Sequence, residues 1–368
     1  MEWQTFFLGV KDFRLDRRKK HQLVDILVIA LCAIVSGADD FEEIEAYGKR
    51  KESFLREFLT LPNGIPSHDT FNRVFRYLDK DAFGACLYRW SKELLSFLEP
   101  NLPQLNLDGK VLRGTAKAGA KKSGICIVSA WLAEQQFVLG QETVAAKSNE
   151  KTAIPALIKS LDVKGALVSC DAAGCQQSNA ALIIEQQGDY LLAIKKDHQQ
   201  AYEQLQDWME KRQESLPMEE WMDFGSGRIE TRRCYVEQNI TLLDDLAAWP
   251  QLKSVVMVES QREKDGKFTQ EKRFYLSSVR ASAAEFNRLV RNHWSIENRL
   301  HWRLDVVFRQ DMSRTRKGNA PQNRGTARKM ALQLLARVDD KESMKNRRKI
   351  AGWNENYLIE VLKGLFKF

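Results

Sequence analysis

From residue 22 to about residue 98 the apolar residues recur at helical spacing. Leu23, Ile26, Leu27 and Leu31 open the series, Phe41, Ile44 and Tyr47 continue it, and Phe54, Leu55, Phe58 and Leu59 follow. Asn63-Gly64-Ile65-Pro66 interrupts the pattern, and Ser67 is placed to cap a helix running through Phe71, Val74, Phe75 and Leu78. These spacings predict a bundle of short helices, closed by the boundary Glu99-Pro100-Asn101-Leu102-Pro103.

Beyond that boundary the period changes. Leu105-Asn106-Leu107-Asp108-Gly109-Lys110-Val111-Leu112, the run 124–132 and the run 137–145 read as three strands of an antiparallel meander. A helix at 152–161 with Pro155 in its first turn, a short buried strand at 166–171, a helix at 177–187 and a strand at 190–195 complete the order βββαβαβ. Strands alternating with helices favour parallel pairing, so a mixed sheet with crossover helices is expected. After a polar helix at 197–214, strand-like segments between 228 and 278 read as an insertion of about 215–280. The chain then returns to helix at 282–305 and ends in a basic helical segment with Leu332, Leu334, Leu335 and Val338 as its apolar stripe. The fold class is α/β (α+β), in three parts: helical 1–100, mixed-sheet 101–310 and basic helical 311–368.

Charge sharpens the last part. Residues 309–368 hold 15 Lys/Arg against 6 Asp/Glu, while the preceding 308 residues hold 42 against 43. A clustered excess is the electrostatic footprint of a polyanion binder, which makes nucleic acid the leading partner. A solvated basic face is the alternative. Arg347, Arg348 and Lys349 are the densest cluster. The six cysteines lie singly among apolar neighbours without C-x-x-C spacing, as small buried residues of a reducing compartment. The longest uncharged apolar run, 26–35, is ten residues, against about 20 needed to cross a bilayer. A cytoplasmic, nucleoid-associated protein with no membrane partner is expected.

Two aspartates end apolar strands, Asp108 and Asp171, each followed by small residues. Strand ends at a crevice are where open α/β sheets place their sites, and an isolated buried carboxylate costs several kcal/mol unless it is solvated, paired or metal-bound. Either one alone reads as a turn former or helix cap; the two together favour a metal site. A third carboxylate belongs to the densest collection of functional side chains, residues 291–305, where His293, Glu297 and His301 follow at i, i+4 and i+8 on one helical face. A buried, salt-bridged helix is the plainer reading of that segment. H-E-x-x-H is absent, and Asp, Asp and Glu are hard oxygen ligands suited to Mg²⁺ or Mn²⁺. Two such ions support phosphodiester chemistry. Arg291, Asn298, Arg299, Lys110 and Arg113 are candidates to meet the phosphate.

Taken in order, Gly37-Ala38-Asp39, Gly64-Ile65-Pro66-Ser67-His68-Asp69-Thr70, Leu107-Asp108-Gly109-Lys110-Val111-Leu112-Arg113, Lys147-Ser148-Asn149-Glu150, Asp171-Ala172-Ala173-Gly174-Cys175-Gln176 and His293-Trp294 through Glu297-Asn298, Leu300-His301-Trp302 and Leu304-Asp305-Val306 span nearly the whole chain. Together they resemble the DDE transposases of bacterial insertion sequences, in particular the H-repeat-associated branch found beside Rhs elements. The resemblance implies an RNase H-like catalytic domain with a β-rich insertion, behind a helical transposase-associated domain. It places the catalytic, metal-holding acids at Asp108, Asp171 and Glu297. It further implies two Mg²⁺ or Mn²⁺ ions, double-stranded DNA as partner (terminal inverted repeats and target), and a homodimer or higher multimer on DNA. The activity implied is cleavage of transposon ends and strand transfer. A degenerate DNA-binding relative and a nuclease without strand transfer are the competing readings. The wider superfamily carries Tyr, Arg and Lys around its catalytic Glu where this chain has Val290, His293 and Leu304, so a phosphate clamp here must use other residues, with His293, His301 and Arg291 as candidates. Gln310-Asp311 and Asp197-His198 depart from the family's usual pairs as well.

Overall fold

The computed structural model describes residues 3–364 apart from residue 8 and residues 96–102, 117–123, 145–149, 226–227, 241–242, 244–245 and 265. Most of the expected boundary at 99–103 and the Lys147-Ser148-Asn149 part of the resemblance therefore lie outside the described residues.

Among the described residues six α-helices make up the N-terminal part: α1 (Trp3–Phe6), α2 (Leu23–Val35), α3 (Phe41–Arg50), α4 (Glu52–Leu55), α5 (His68–Tyr77) and α6 (Lys80–Leu95). Helix α2 is apolar on every side and buried along almost its whole length, as an all-round hydrophobic helix must be. Asp40 caps α3 by accepting from the Glu43 backbone N–H at 2.9 Å. Ser67 stands at the N-cap of α5 as expected, but its hydroxyl meets Thr70 Oγ1 at 3.3 Å and caps no backbone N–H.

Strands β1 (Gln104–Leu112), β2 (Ile125–Leu132) and β3 (Phe137–Thr143) form the expected antiparallel meander. Helix α7 (Glu150–Ser160) begins two residues earlier than expected, which carries Pro155 past the first turn. Strand β4 (Leu167–Cys170), helix α8 (Gln177–Glu185), strand β5 (Asp189–Ile194) and helix α9 (Gln199–Arg212) follow. Strands β1, β4 and β5 pair in parallel, which the crossovers through α7 and α8 require.

The insertion is four strands, β6 (Met218–Gly225), β7 (Arg228–Glu237), β8 (Ser254–Lys264) and β9 (Lys267–Ser277). It forms no sheet of its own: β9 pairs with β5, giving one nine-stranded sheet in the order β3-β2-β1-β4-β5-β9-β8-β7-β6. The sequence pattern is strand-like only from residue 228. Strand β6, the exposed edge, escapes it because Glu219, Glu220 and Asp223 break its apolar alternation.

Helix α10 (Ala283–Ile296), capped by Ser282, packs on one face against β1, β6 and β7. The expected continuous α-helix to residue 305 is corrected here: Glu297–His301 and Arg303–Val307 are wound as π-helix. Helices α11 (Ala320–Ala336), α12 (Met344–Trp353) and α13 (Glu355–Lys363) end the described chain. Helix α11 packs against α2, α5, α6 and β3 and is almost entirely buried. One hydrophobic core thus runs from α2 through α11 into the meander.

Burial on this scale includes polar side chains, each of which needs a partner. Asn323 Nδ2 donates to Phe75 O at 2.9 Å and Leu78 O at 3.0 Å, and Lys329 Nζ donates to Ser129 Oγ at 2.8 Å and Gln141 Oε1 at 2.7 Å. Arg324, Arg328, Lys329 and Arg348, four of the basic residues of the last sixth of the chain, are interior. The expectation that this charge excess is a DNA-facing tail is corrected to that extent.

Candidate active site

Strand β1 presents Gln104, Asn106, Asp108 and Lys110 to one face of the sheet, since alternate residues of a strand share a face. That face lies under α10 and the π-wound segment. Gln104 Nε2 donates to Leu289 O at 2.8 Å and Asn106 Nδ2 to Asn292 O at 2.7 Å, tying strand to helix. Ser169 of β4 donates to Asn106 Oδ1 at 2.6 Å. Its one hydroxyl proton being used there, the 2.9 Å contact to His293 Nδ1 is a bond donated by the ring N–H. His293 is buried, and desolvation first, with Arg273 second, pushes its pKa down to about 4. Its ring fastens helix to sheet and faces no solvent.

One step along the strand sits Asp108. It lies in the middle of β1, because the strand continues to Leu112. What ends there is the parallel pairing with β4, whose last register pair is Leu107 with Cys170. Asp171, the next residue of the β4 chain, therefore comes beside Asp108. The Asp171 carboxylate accepts from the Ala173 N–H at 3.0 Å and caps the short turn Ala172–Gly174.

Glu297 and His301 approach from the helix side. His301 Nδ1 lies 3.1 Å from Glu297 Oε2 and 3.3 Å from Asp108 Oδ2. Among the described residues Asp108, Glu297 and His301 form a group whose ligand atoms all lie within 4.8 Å of one another and could hold a metal ion. The Glu297 side chain is 63% exposed and that of His301 4%. The hydrogen bond from His301 holds the Glu297 carboxyl below its usual range, outweighing desolvation, with Lys110 and Arg113 adding smaller pulls the same way. His301 Nε2 is buried without a hydrogen-bond partner. A proton at Nδ1, between two carboxylates, leaves only an unpaired acceptor at Nε2, whereas the other tautomer would bury an unpaired N–H. His301 is thereby set to donate to the acids.

Lys110 pairs with Asp305 and lies 3.9 Å from Asp311. Burial raises the Asp305 carboxyl, and Lys110 opposes that rise.

A family profile described as DDE_Tnp_1-associated matches residues 4–91, and one described as Transposase DDE domain matches residues 102–334. The chain belongs to the DDE transposase family. It is 36% identical over 369 residues to the protein named "Putative transposase YncI" of Escherichia coli O157:H7, covering 96% of this chain and 92% of that one. With the "H repeat-associated putative transposase YhhI" of Escherichia coli strain K12 it shares 34% identity over 373 residues, 96% of either chain. A shorter match, 43% over 63 residues and 17% of this chain, covers 75% of the protein named "Inactive transposase YbfQ" of the same strain. The nine-stranded mixed sheet behind a helical N-terminal region is consistent with the RNase H-like DDE domain.

In this member of the DDE transposase family two of the three expected acids, Asp108 and Glu297, fall in the tight group, whose third member is His301 in place of Asp171. Asp108 and Glu297, two carboxylates on neighbouring elements, fit a divalent cation of the class the DDE family implies, and a His301 ring protonated at Nδ1 supports them without being a ligand itself. Of the residues expected to meet phosphate, Arg113 is 82% exposed beside Asp311, and Asn298 and Arg299 are exposed. Arg291 stacks over Trp221 at 4.0 Å and meets Asp223 at 3.4 Å. Lys110 is committed to its two aspartates and His301 to its two acids. Arg347 pairs with Asp340 at 2.7 Å and donates to Leu335 O, while Lys349 is exposed. His293 and Arg348 are corrected from the expectation: Arg348 donates to the backbone carbonyls of Ile34 and Val307 from the interior, so neither side chain presents itself to a DNA strand.

Asn106, Ser169 and Lys329 were not singled out by sequence. A signal existed for the first two, each a polar residue two positions before a strand-end aspartate in an otherwise apolar strand. Lys329 left none, because a lysine in a polar-looking helix reads as surface.

No helix among the described residues is long and apolar enough to cross a membrane.

Proposed function

We propose that this chain is a DNA transposase that cuts the ends of a mobile element and joins them to target DNA, acting at the elements' terminal inverted repeats as a dimer or higher multimer. The observation that carries the reading is the placement of Asp108 on β1 against Glu297 on the π-wound segment, with His301 between them and Asp171 alongside. Asp108, Asp171 and Glu297 would hold two Mg²⁺ or Mn²⁺ ions, which when bound supply positive charge at the scissile phosphate and ease deprotonation of the attacking hydroxyl.

The protein's own contribution is orientation. His301 donates to Glu297 and stands 3.3 Å from Asp108, so both carboxylates are held toward one another before DNA arrives. Asp171 reaches the site by giving up the Ala173 N–H. Arg113, whose charge acts on Glu297, and Asn298, next to Glu297 in the chain, stand exposed to take up phosphate charge, whereas Arg299 reaches away to the Ala133 carbonyl.

The test is a cleavage assay with purified protein, Mg²⁺ and duplexes ending in the element's inverted repeats, followed by analysis of the products. Cut ends joined to target are expected, and are lost in Asp108→Asn, Asp171→Asn and Glu297→Gln. Cut but never joined DNA would identify a nuclease without strand transfer. Salt-sensitive binding with no cutting would identify a degenerate DNA-binding relative, as the name of the inactive relative illustrates for that protein.

A further inference from the structure

The segment from Ser313 to Arg316 runs without helix or strand pairing between the π-wound helix and α11, and its side chains alternate. Ser313 and Thr315 turn inward, where both hydroxyls accept from the guanidinium of buried Arg324, the first at 3.0 Å. Arg314 and Arg316 are exposed, as is Lys317 after them, and none of the three is ion-paired with a described residue. The segment is also fastened to the exit of β1, since Arg316 Nε donates to Gly114 O at 2.9 Å. It forms one wall of an open cavity of about 710 Å³. The acids on the opposite wall are already engaged. Asp39 pairs with Arg309 and Arg348, Asp40 caps α3, and Glu43 accepts from the Asp39 N–H.

We infer that Arg314, Arg316 and Lys317 are the grip of this protein on the phosphate backbone of a DNA duplex, braced from beneath by Arg324. The inference rests on the DNA-processing reading above and adds where the duplex lies. Alternate residues of extended chain advance by about 6.6 Å, so the two arginines can meet separate phosphates of one strand. The path along the chain from Asp108 to Gly114 is short, at most about 20 Å when fully extended. A duplex held here therefore reaches the acids within about six base pairs. The 347–349 cluster is unsuited to the same task, two of its three cations being tied to the protein.

The experiment measures binding of the full chain, without divalent metal, to a fluorescent duplex as a function of salt. The triple variant Arg314→Ala/Arg316→Ala/Lys317→Ala should bind at least tenfold more weakly at physiological salt. Its log–log salt slope should be shallower by about two to three, at about 0.9 for each phosphate no longer neutralised. Lys substitutions at 314 and 316 should restore the slope, and Lys345→Ala/Lys349→Ala, on the exposed face of α12, should leave it near wild type. A triple variant with the wild-type slope overturns the inference while leaving the transposase reading standing, provided the wild type cuts its ends. A wild type that binds through these residues but never cuts fails the other way, and one that binds no duplex at low salt overturns both.

Discussion

His301 Nδ1 stands 3.3 Å from the Asp108 carboxylate, joining a residue of strand β1 to one more than 190 positions later in the chain. Glu297 and His301 both belong to a π-wound segment, whose backbone bonds run i→i+5 in place of the α-helix's i→i+4. Extra residues wound into a helix are recurrent at functional sites. Here Glu297 is largely exposed while His301, four residues on, is buried against the sheet.

Charge-removing, shape-keeping changes at the acids separate chemistry from folding. Glu297→Gln should lower Mg²⁺-dependent cleavage on the order of a thousandfold. Because the side chain is largely exposed, stability should move by no more than about 0.5 kcal/mol. A variant that cuts at the wild-type rate removes Glu297 from the site.

Asp171 should split by substituent. Alanine removes the acceptor for the Ala173 N–H and should cost about 1 kcal/mol as well as activity. Asparagine keeps an acceptor oxygen, so it should unfold like wild type in denaturant yet fail to cut. Equal stability of the two variants would show that the cap carries no weight.

Burial pushes the Lys329 amine down to about 7 from 10.5, with Lys110 the only charge contributing and the partners Ser129 and Gln141 neutral. Below pH 7 both folded and unfolded chains carry the proton, and the burial penalty is full. Between pH 7 and 10.5 the unfolded chain holds a proton that the folded one lacks, so stability rises with pH. Lys329→Met should abolish that rise and stabilise the protein at pH 6 by roughly 1–4 kcal/mol. Denaturation midpoints at several pH values decide it, and a rise that survives the substitution refutes the assignment.

His293 predicts the acid limb. With its pKa near 4 in the fold and 6.5 as the reference, the unfolded chain binds the extra proton between those values, and stability falls as pH drops through that window. His293→Gln should flatten this slope while weakening the protein at neutral pH through the bond to Ser169. Titration of the ring by NMR near 6.5 would contradict the buried, neutral state.

Gly114 tests the attachment of the basic segment. A β-carbon there would run into the Ser313 carbonyl and press on that of Asp311. Gly114→Ala should cost about 1–3 kcal/mol and reduce DNA affinity by loosening residues 311–317. Unchanged stability and affinity would mean that the segment is not held at this point.

The order of elements and the parallel crossover were legible along the chain because they are local patterns. Periods of two and 3.6 mark strands and helices, and an aspartate after a short apolar run, Asp108 or Asp171, marks a candidate position, though Asp108 proves to lie within β1 and not at its end. Local patterns do not state which side chains lose their water. The basic excess after residue 309 looked like one DNA-facing surface, yet Arg324, Arg328, Lys329 and Arg348 are interior. Helix α11 is polar enough to read as exposed and is buried because α2, α5, α6 and β3 close around it. By itself, then, the sequence determined most of the elements and the family resemblance, and it offered Asp108, Asp171 and Glu297 as candidates. Only the tertiary structure decided that the insertion extends the same sheet, that His301 joins the acids, that Asp171 is held by its own turn, and which cations face water. Periodicity is written along one chain, whereas desolvation and charge pairing depend on residues brought together across hundreds of positions.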